Sequence, residues 1–127
     1  MKMAFVPFNM NVLIKRPMSL LLPERFLFYG RTMAFLVQAF DDSDENALER
    51  RMAAREAHLE TARKSKGDGR LVTAGAILDE SGKMIGSVLL FDLNTTEEVE
   101  ELVKADPYTK EGVWVRWSIT PIRLAPL

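Results

Sequence analysis

The chain holds a single histidine, His58. An imidazole is the side chain that gains and loses a proton near neutral pH, so His58 is the first candidate for acid–base chemistry. Arg55 and Arg51 stand beside it on the same stretch and would hold an anionic group of a substrate. Three carboxylates stand where a neighbouring element would bring them to that imidazole. Asp41 and Asp42 follow an apolar run, and Asp106 precedes Pro107. A carboxylate against one ring nitrogen fixes the tautomer and the proton affinity of the other. The chemistry this inventory allows is proton transfer without a metal or a thiol.

Other chemistries lack their residues. The chain has no cysteine and one histidine, which removes disulfides, thiolate sites, a cysteine nucleophile and a multi-histidine metal cage within one chain. Acidic residues are plentiful, but no spacing suggests a metal site. Gly67-Asp68-Gly69 lacks the Lys-Ser/Thr of a phosphate loop, and no Gly-x-Ser-x-Gly is present. The expectation is a reaction with no metal and no cofactor.

The length, 127 residues, suits one domain with one core. Lys and Arg number 17 against 18 Asp and Glu, a net charge of −1, so a strongly cationic nucleic-acid binder is disfavoured. No basic-aromatic stripe runs through residues 41–127 either. The charge is uneven. Residues 1–40 carry five basic side chains (Lys2, Lys15, Arg16, Arg25, Arg31) against Glu24, and the remainder is net acidic. Three of the six prolines, Pro7, Pro17 and Pro23, also fall in this start, which shows no sustained period. Residues 1–32 therefore read as an extension and residues 33–127 as the domain. The extension has three readings: a segment upstream of a true start near Met33, an extra strand or arm packed on the domain, or a targeting peptide. No apolar stretch reaches the length of a membrane span, and Asn9, Asn11, Lys15, Arg16 and Pro17 interrupt any signal-peptide core, so a cytoplasmic location away from membranes is expected.

From Met33 the elements that would position these residues follow in order. MAFLVQAF (33–40) reads as a buried strand. Asp42 or Ser43 then caps a helix, with Glu45 at capping-box spacing from Asp42, and the helix runs to about Lys66 before Gly67-Asp68-Gly69. Residues 70–78 and 83–93 read as strands joined by the turn Asp79-Glu80-Ser81-Gly82. Thr95 or Thr96 caps a second helix, with Glu98 three residues after Thr95, and Asp106-Pro107 ends it. Residues 113–124 form the last strand. The order βαββαβ predicts an α+β, ferredoxin-like domain: an antiparallel four-stranded sheet with two helices on one face.

In that arrangement the other sheet face needs cover. Phe35, Val37, Val88, Leu90, Val113 and Val115 alternate poorly with polar residues, and a second copy placed sheet to sheet predicts a homodimer. On the first helix, Leu48, Met52, Leu59 and Ala62 fall on one stripe, Arg55 lies within it, and His58 lies on its shoulder beside Arg51. Two readings stand. Either Arg55 snorkels to the rim and His58 is half-exposed, or the helix borders a polar cleft into which both point. Asp106 likewise either punctuates the chain before Pro107 or faces that cleft. Tyr108, Trp114 and Trp117 are core or dimer-face candidates, and Gly75 and Gly86 mark close approach of another backbone or a ligand.

Several segments resemble one family. Arg55-Glu56-Ala57-His58-Leu59 resembles the R-x-x-H-L helix segment of the YciI-like, or YCII-related, proteins. Gly69-Arg70-Leu71-Val72-Thr73-Ala74-Gly75-Ala76 is similar to their G-x-L-x-x-A-G-P strand, with Ala76 where proline is usual. Residues 105–114, ADPYTKEGVW, are similar to their A-D-P-[YF]-x-x-[AE]-G-[VLI] signature, and Met84-Ile85-Gly86-Ser87 matches the strand between. The resemblance spans roughly residues 33–124. It implies a dimeric α/β barrel related in fold to muconolactone isomerases, with a cleft holding a histidine and an aspartate. The histidine maps to His58 and the aspartate to Asp106, with Asp41 or Asp42 as the acidic residue at the first strand's end. One family member is a dehydrochlorinase of a chlorinated hydroxyquinol.

Two functions follow as expectations. The first is a small cofactor-independent lyase or isomerase of a cyclic or phenolic compound. It would use His58 and Asp106 as the acid–base pair, with Arg55, Arg51, Asp42, Gly75 and Tyr108 around the substrate. The second is a non-catalytic small-ligand-binding or dimerisation module, in which His58→Ala changes affinity and no turnover exists.

Overall fold

Phe35, Val37 and Ala39 alternate with Leu36, Gln38 and Phe40, and this period of two makes β1 (Met33–Asp41) a strand with one fully buried face. The computed structural model describes residues 33–127, which form one compact unit. The readings made above for residues 1–32 lie outside the described residues.

β1 leads into α1 (Ala47–Gly67), then β2 (Leu71–Leu78), β3 (Met84–Phe91), α2 (Thr96–Ala105), the four-residue α3 (Pro107–Lys110) and β4 (Trp114–Arg123). The strands form one sheet in the order β2-β3-β1-β4, every neighbouring pair antiparallel. This is the ferredoxin-like topology predicted from βαββαβ. α3 was not foreseen: Pro107, which ends α2, also suits the first position of a new helix, where its missing N–H costs nothing.

Local signals set most boundaries. The Thr95 hydroxyl accepts the Glu98 N–H at 3.2 Å, and the Glu98 carboxylate accepts the Thr95 N–H at 3.1 Å, so the predicted capping box forms. The predicted cap of α1 does not. Asp42 accepts the Ser43 N–H and Asp44 the Asn46 N–H, each at 2.8 Å, so both carboxylates are spent on a turn that delays the helix to Ala47. Gly69 and Gly82 carry φ of 82° and 88° where α1 and the β2–β3 hairpin turn over.

The core lies between the sheet and the helices. Phe35, Val37 and Ala39 of β1, Leu89 and Phe91 of β3, and Val99 and Val103 of α2 are buried there with Tyr108, Val113 and Trp114. Its apolar area removed from water is the main cohesive force, at about 25 cal/mol per Å². The second sheet face carries Leu36, Phe40, Ile77, Val88, Leu90 and Ile122, all half-buried, among the exposed Gln38, Ser118 and Thr120. The predicted membership of that face needs correction. Phe35 and Val37 belong under the helices, as does the buried Val113, and Val115 is exposed. Strand alternation separates Phe35 and Val37 from Val88 and Leu90, because each cross-strand register puts partners on one side.

Candidate active site

α1 turns a face of small and polar residues to the sheet: Ala47, Arg51, Ala54, His58 and Ser65 are its buried positions. The apolar stripe predicted for it is displaced. Met52 is 52% exposed and Arg55 lies in solvent, while Arg51 is only 3% exposed. Buried polar groups must be partnered, and the partners supplied by the sheet decide which face turns inward. The buried guanidinium is therefore Arg51, not Arg55.

Each partner arrives by a local rule. Asp41 is the last residue of β1, on the helix side by alternation, and the Arg51 Nη1 donates to both of its oxygens at 3.0 and 3.1 Å. Ser87 of β3 stands on the same side, and its hydroxyl accepts the Arg51 Nη2 at 3.0 Å and the Trp114 indole N–H at 3.2 Å. The Arg51 Nε is buried without a hydrogen-bond partner among the described residues. Asp106 closes α2 and caps α3, where its Oδ1 accepts the Tyr108 N–H at 2.8 Å. The same carboxylate lies 2.8 and 3.1 Å from Nδ1 of His58. A carboxylate only accepts, so Nδ1 is the donor and Nε2 is left to exchange a proton.

Aromatic contacts join the two halves. The Tyr108 ring stacks on the imidazole at 3.9 Å and 12°, and the Trp114 ring meets both edge-on at 5.4 Å. The Arg51 guanidinium lies 4.7 Å from the Tyr108 centroid on a cation–π contact. Asp106, His58, Tyr108, Arg51, Asp41 and Ser87 thus form one continuous buried network. Burial pushes the Asp41 carboxyl above its ordinary value, against the pull of Arg51. Burial also pushes the Tyr108 phenol up, against Arg51 and Arg55.

The remaining candidates are dispersed. Gly75 pairs with Val88 on the opposite sheet face, exposed, and a Cβ there would meet nothing within 4 Å. It is separated from the network by the sheet itself. At Gly86 the close approach is real: a Cβ would lie 2.5 Å from the Ala39 carbonyl oxygen. Asp42 is exposed and lines a cavity of about 240 Å³ at the β1–α1 corner. That cavity is bounded by residues 40–44, Ala47, Leu48, residues 83–85 and Arg116. A second cavity of about 250 Å³ lies between α1 and α3 against Ala53, Ala54, Ala57 and Pro107. The network reaches the first cavity at Asp41, while His58 and Asp106 line neither. Asp41, Ser87, Lys83 and Arg116 were not singled out as site residues, apart from Asp41 as an alternative to Asp42. Asp41, Lys83 and Arg116 stand at or near strand ends, and Ser87 lies inside β3, in the Met84-Ile85-Gly86-Ser87 segment of the family resemblance. Among the described residues no three His, Asp or Glu side chains cluster as metal ligands, and no helix is long and apolar enough to cross a membrane.

The YCII-related domain family matches residues 33–123. The chain belongs to that family. Protein YciI of Escherichia coli O6:H1 is 30% identical over 97 residues, 72% of this chain and 97% of that protein. The derivative of benzaldehyde biosynthesis cluster protein C of Emericella nidulans is 35% identical over 97 residues, 68% of this chain and 99% of that protein. The solved 5-chloro-2-hydroxyhydroquinone dehydrochlorinase of Burkholderia phenoliruptrix AC1100, in complex with 2,5-dihydroxybenzoquinone, superposes with a TM-score of 0.59 at 25% identity. That match covers 68% of this chain and 90% of that one. The fold is that of the dimeric α/β barrel superfamily. The histidine, aspartate and strand-end acid that the resemblance mapped onto His58, Asp106 and Asp41 or Asp42 stand in the network as His58, Asp106 and Asp41.

Proposed function

We propose that this protein is a small lyase or isomerase that needs no metal or cofactor and acts on a cyclic or phenolic compound by elimination or proton relocation. The observation that carries this reading is the buried His58–Asp106 pair at 2.8 Å, with Nδ1 of the imidazole committed and Nε2 without a partner among the described residues. In that role His58 takes a proton from a ring carbon or hydroxyl and returns it to the product or leaving group. Asp106 holds the tautomer and Tyr108 holds the ring plane. Asp41, held by Arg51, is where the network meets the corner cavity. The likeness to a dehydrochlorinase solved with a quinone bound supports the reaction class and the size of substrate. A second copy set against the half-buried apolar face of the sheet completes the proposal as a homodimer.

One observation favours a second reading. His58 and Asp106 line neither cavity, so a ligand held in one without turnover fits a non-catalytic module, although the change of affinity expected of His58→Ala does not follow from that placement. A turnover screen of phenolic and lactone compounds separates the two. The enzyme reading expects a hit whose rate falls about 100-fold or more in His58→Ala. Equal rates in wild type and His58→Ala, or ligand binding with no turnover of any bound compound, would sink it.

A further inference from the structure

Resting on that reading, we infer that the cavity at the β1–α1 corner is the substrate pocket, and that Arg116 and Lys83 select a single-ring compound carrying a carboxylate. The size sets the ring count. A cavity of about 150 Å³ holds a benzene molecule. The corner cavity, about 240 Å³, has room for one ring with its substituents. Leu48, Phe40 and Met84 give the ring apolar surface.

The sign of the substituent follows from which charges are already spent. Asp41 is paired with Arg51 at 3.0 Å, and Asp44 with Arg50 at 2.7 Å. Asp42 accepts the Ser43 N–H and, among the described residues, is the acid of the lining without a cation at salt-bridge distance. Lys83 gives its backbone N–H to Asp79, whose carboxylate also feels the Lys83 charge, but among the described residues no carboxylate stands at salt-bridge distance from its ammonium. The Arg116 guanidinium lies 5.0 Å from the Phe40 ring centroid and likewise has no carboxylate partner there. The contact places that guanidinium at the cavity wall, and none of its five N–H donors is spent on the described residues. Two cations of the lining without a salt bridge among the described residues, against one such acid, favour an anion. A fork of donors beside a point charge suits a planar carboxylate, taken bidentately by Arg116 and from the side by Lys83. The rest of the ring then lies toward Asp41, where the buried network begins.

The test is equilibrium binding to the full-length chain, with benzoate as the probe and benzamide as its uncharged counterpart. Saturable benzoate binding, weaker benzamide binding, and a loss of about tenfold for benzoate alone in the Arg116→Gln/Lys83→Gln double variant are the expected results. Arg123→Gln, at the far end of β4, should bind benzoate as wild type does, and thermal melts confirm that the exposed substitutions leave the fold intact. Equal affinity for benzoate and benzamide, unchanged benzoate affinity in the double variant, or no saturable binding of either overturns the inference. His58→Ala should keep its benzoate affinity. Loss of turnover with binding intact in that variant concerns the acid–base pair, whereas loss of charge selectivity in the double variant concerns this pocket.

Discussion

The His58 imidazole and the Tyr108 ring lie 3.9 Å apart and 12° from parallel, while Asp106 holds the imidazole in its own plane at 2.8 Å. The imidazole is thereby fixed both in plane and out of plane. Asp106 does two jobs in this arrangement, since it also caps the helix that delivers Tyr108. The turn that presents the stacking ring and the carboxylate that orients the histidine are one local structure.

Removing the ring should therefore cost both stability and order at His58. Tyr108 is 1% exposed, so Tyr108→Ala should lower unfolding free energy by about 3–5 kcal/mol, while Tyr108→Phe should cost under about 1.5 kcal/mol. Urea denaturation reads the energies, and the width of the His58 ring resonances reads the order. A Tyr108→Ala protein as stable as wild type would remove the stack from the account.

The buried ion pair should behave differently from those at the surface. Arg51→Met leaves Asp41 buried without its cation and should destabilise by about 3–5 kcal/mol, and Asp41→Leu/Arg51→Met together should recover most of that. The Arg63–Glu56 pair, 65% and 77% exposed, should give a coupling under about 1 kcal/mol in a double-mutant cycle. The comparison fails if the two pairs couple equally.

Asp41 also predicts a pH dependence. Its carboxyl is raised from 3.8 by burial, so between that value and its native midpoint the folded protein binds more protons than the unfolded chain. Stability from this group falls as pH rises through that window. Asp44 and Asp79 are lowered by hydrogen bonds, so their contributions run the other way and fade as pH falls below 3.8. Subtracting the urea midpoints of Asp41→Asn from those of wild type, from about pH 4 to about pH 7, isolates the Asp41 slope. A difference that rises with pH would contradict the burial argument.

Much of the fold could be read from punctuation, because Thr95 with Glu98, Asp79 to Gly82, and Asp106-Pro107 act within a few residues of themselves. The face of α1 could not. Met52 and Arg55 sit in the stripe that apolar spacing selects, yet what turns the helix is the set of partners waiting at Asp41, Ser87 and Asp106, on three other elements. His58 and Asp106 were legible as types with a motif behind them. Arg116 and Lys83 were not, since only the register of β4 on β1 and the hairpin position of Lys83 bring them to one cavity.

The two strand glycines give the sharpest contrast in backbone chemistry. Gly86 faces the Ala39 carbonyl, where a Cβ would sit at 2.5 Å against backbone that cannot swing aside. Gly86→Ala must push β1 and β3 apart beside Ser87 and Asp41, at a cost of about 1–3 kcal/mol. It should also loosen the Arg51 contacts that both residues make. Gly75 opposes Val88 one strand further out, and a methyl group there meets open space. Gly75→Ala should be neutral or stabilise by about 0.5–1 kcal/mol, because alanine gives up less backbone freedom on folding. Thermal melts of the two variants decide the matter: equal shifts would mean that the close approach at Gly86 has no energetic consequence.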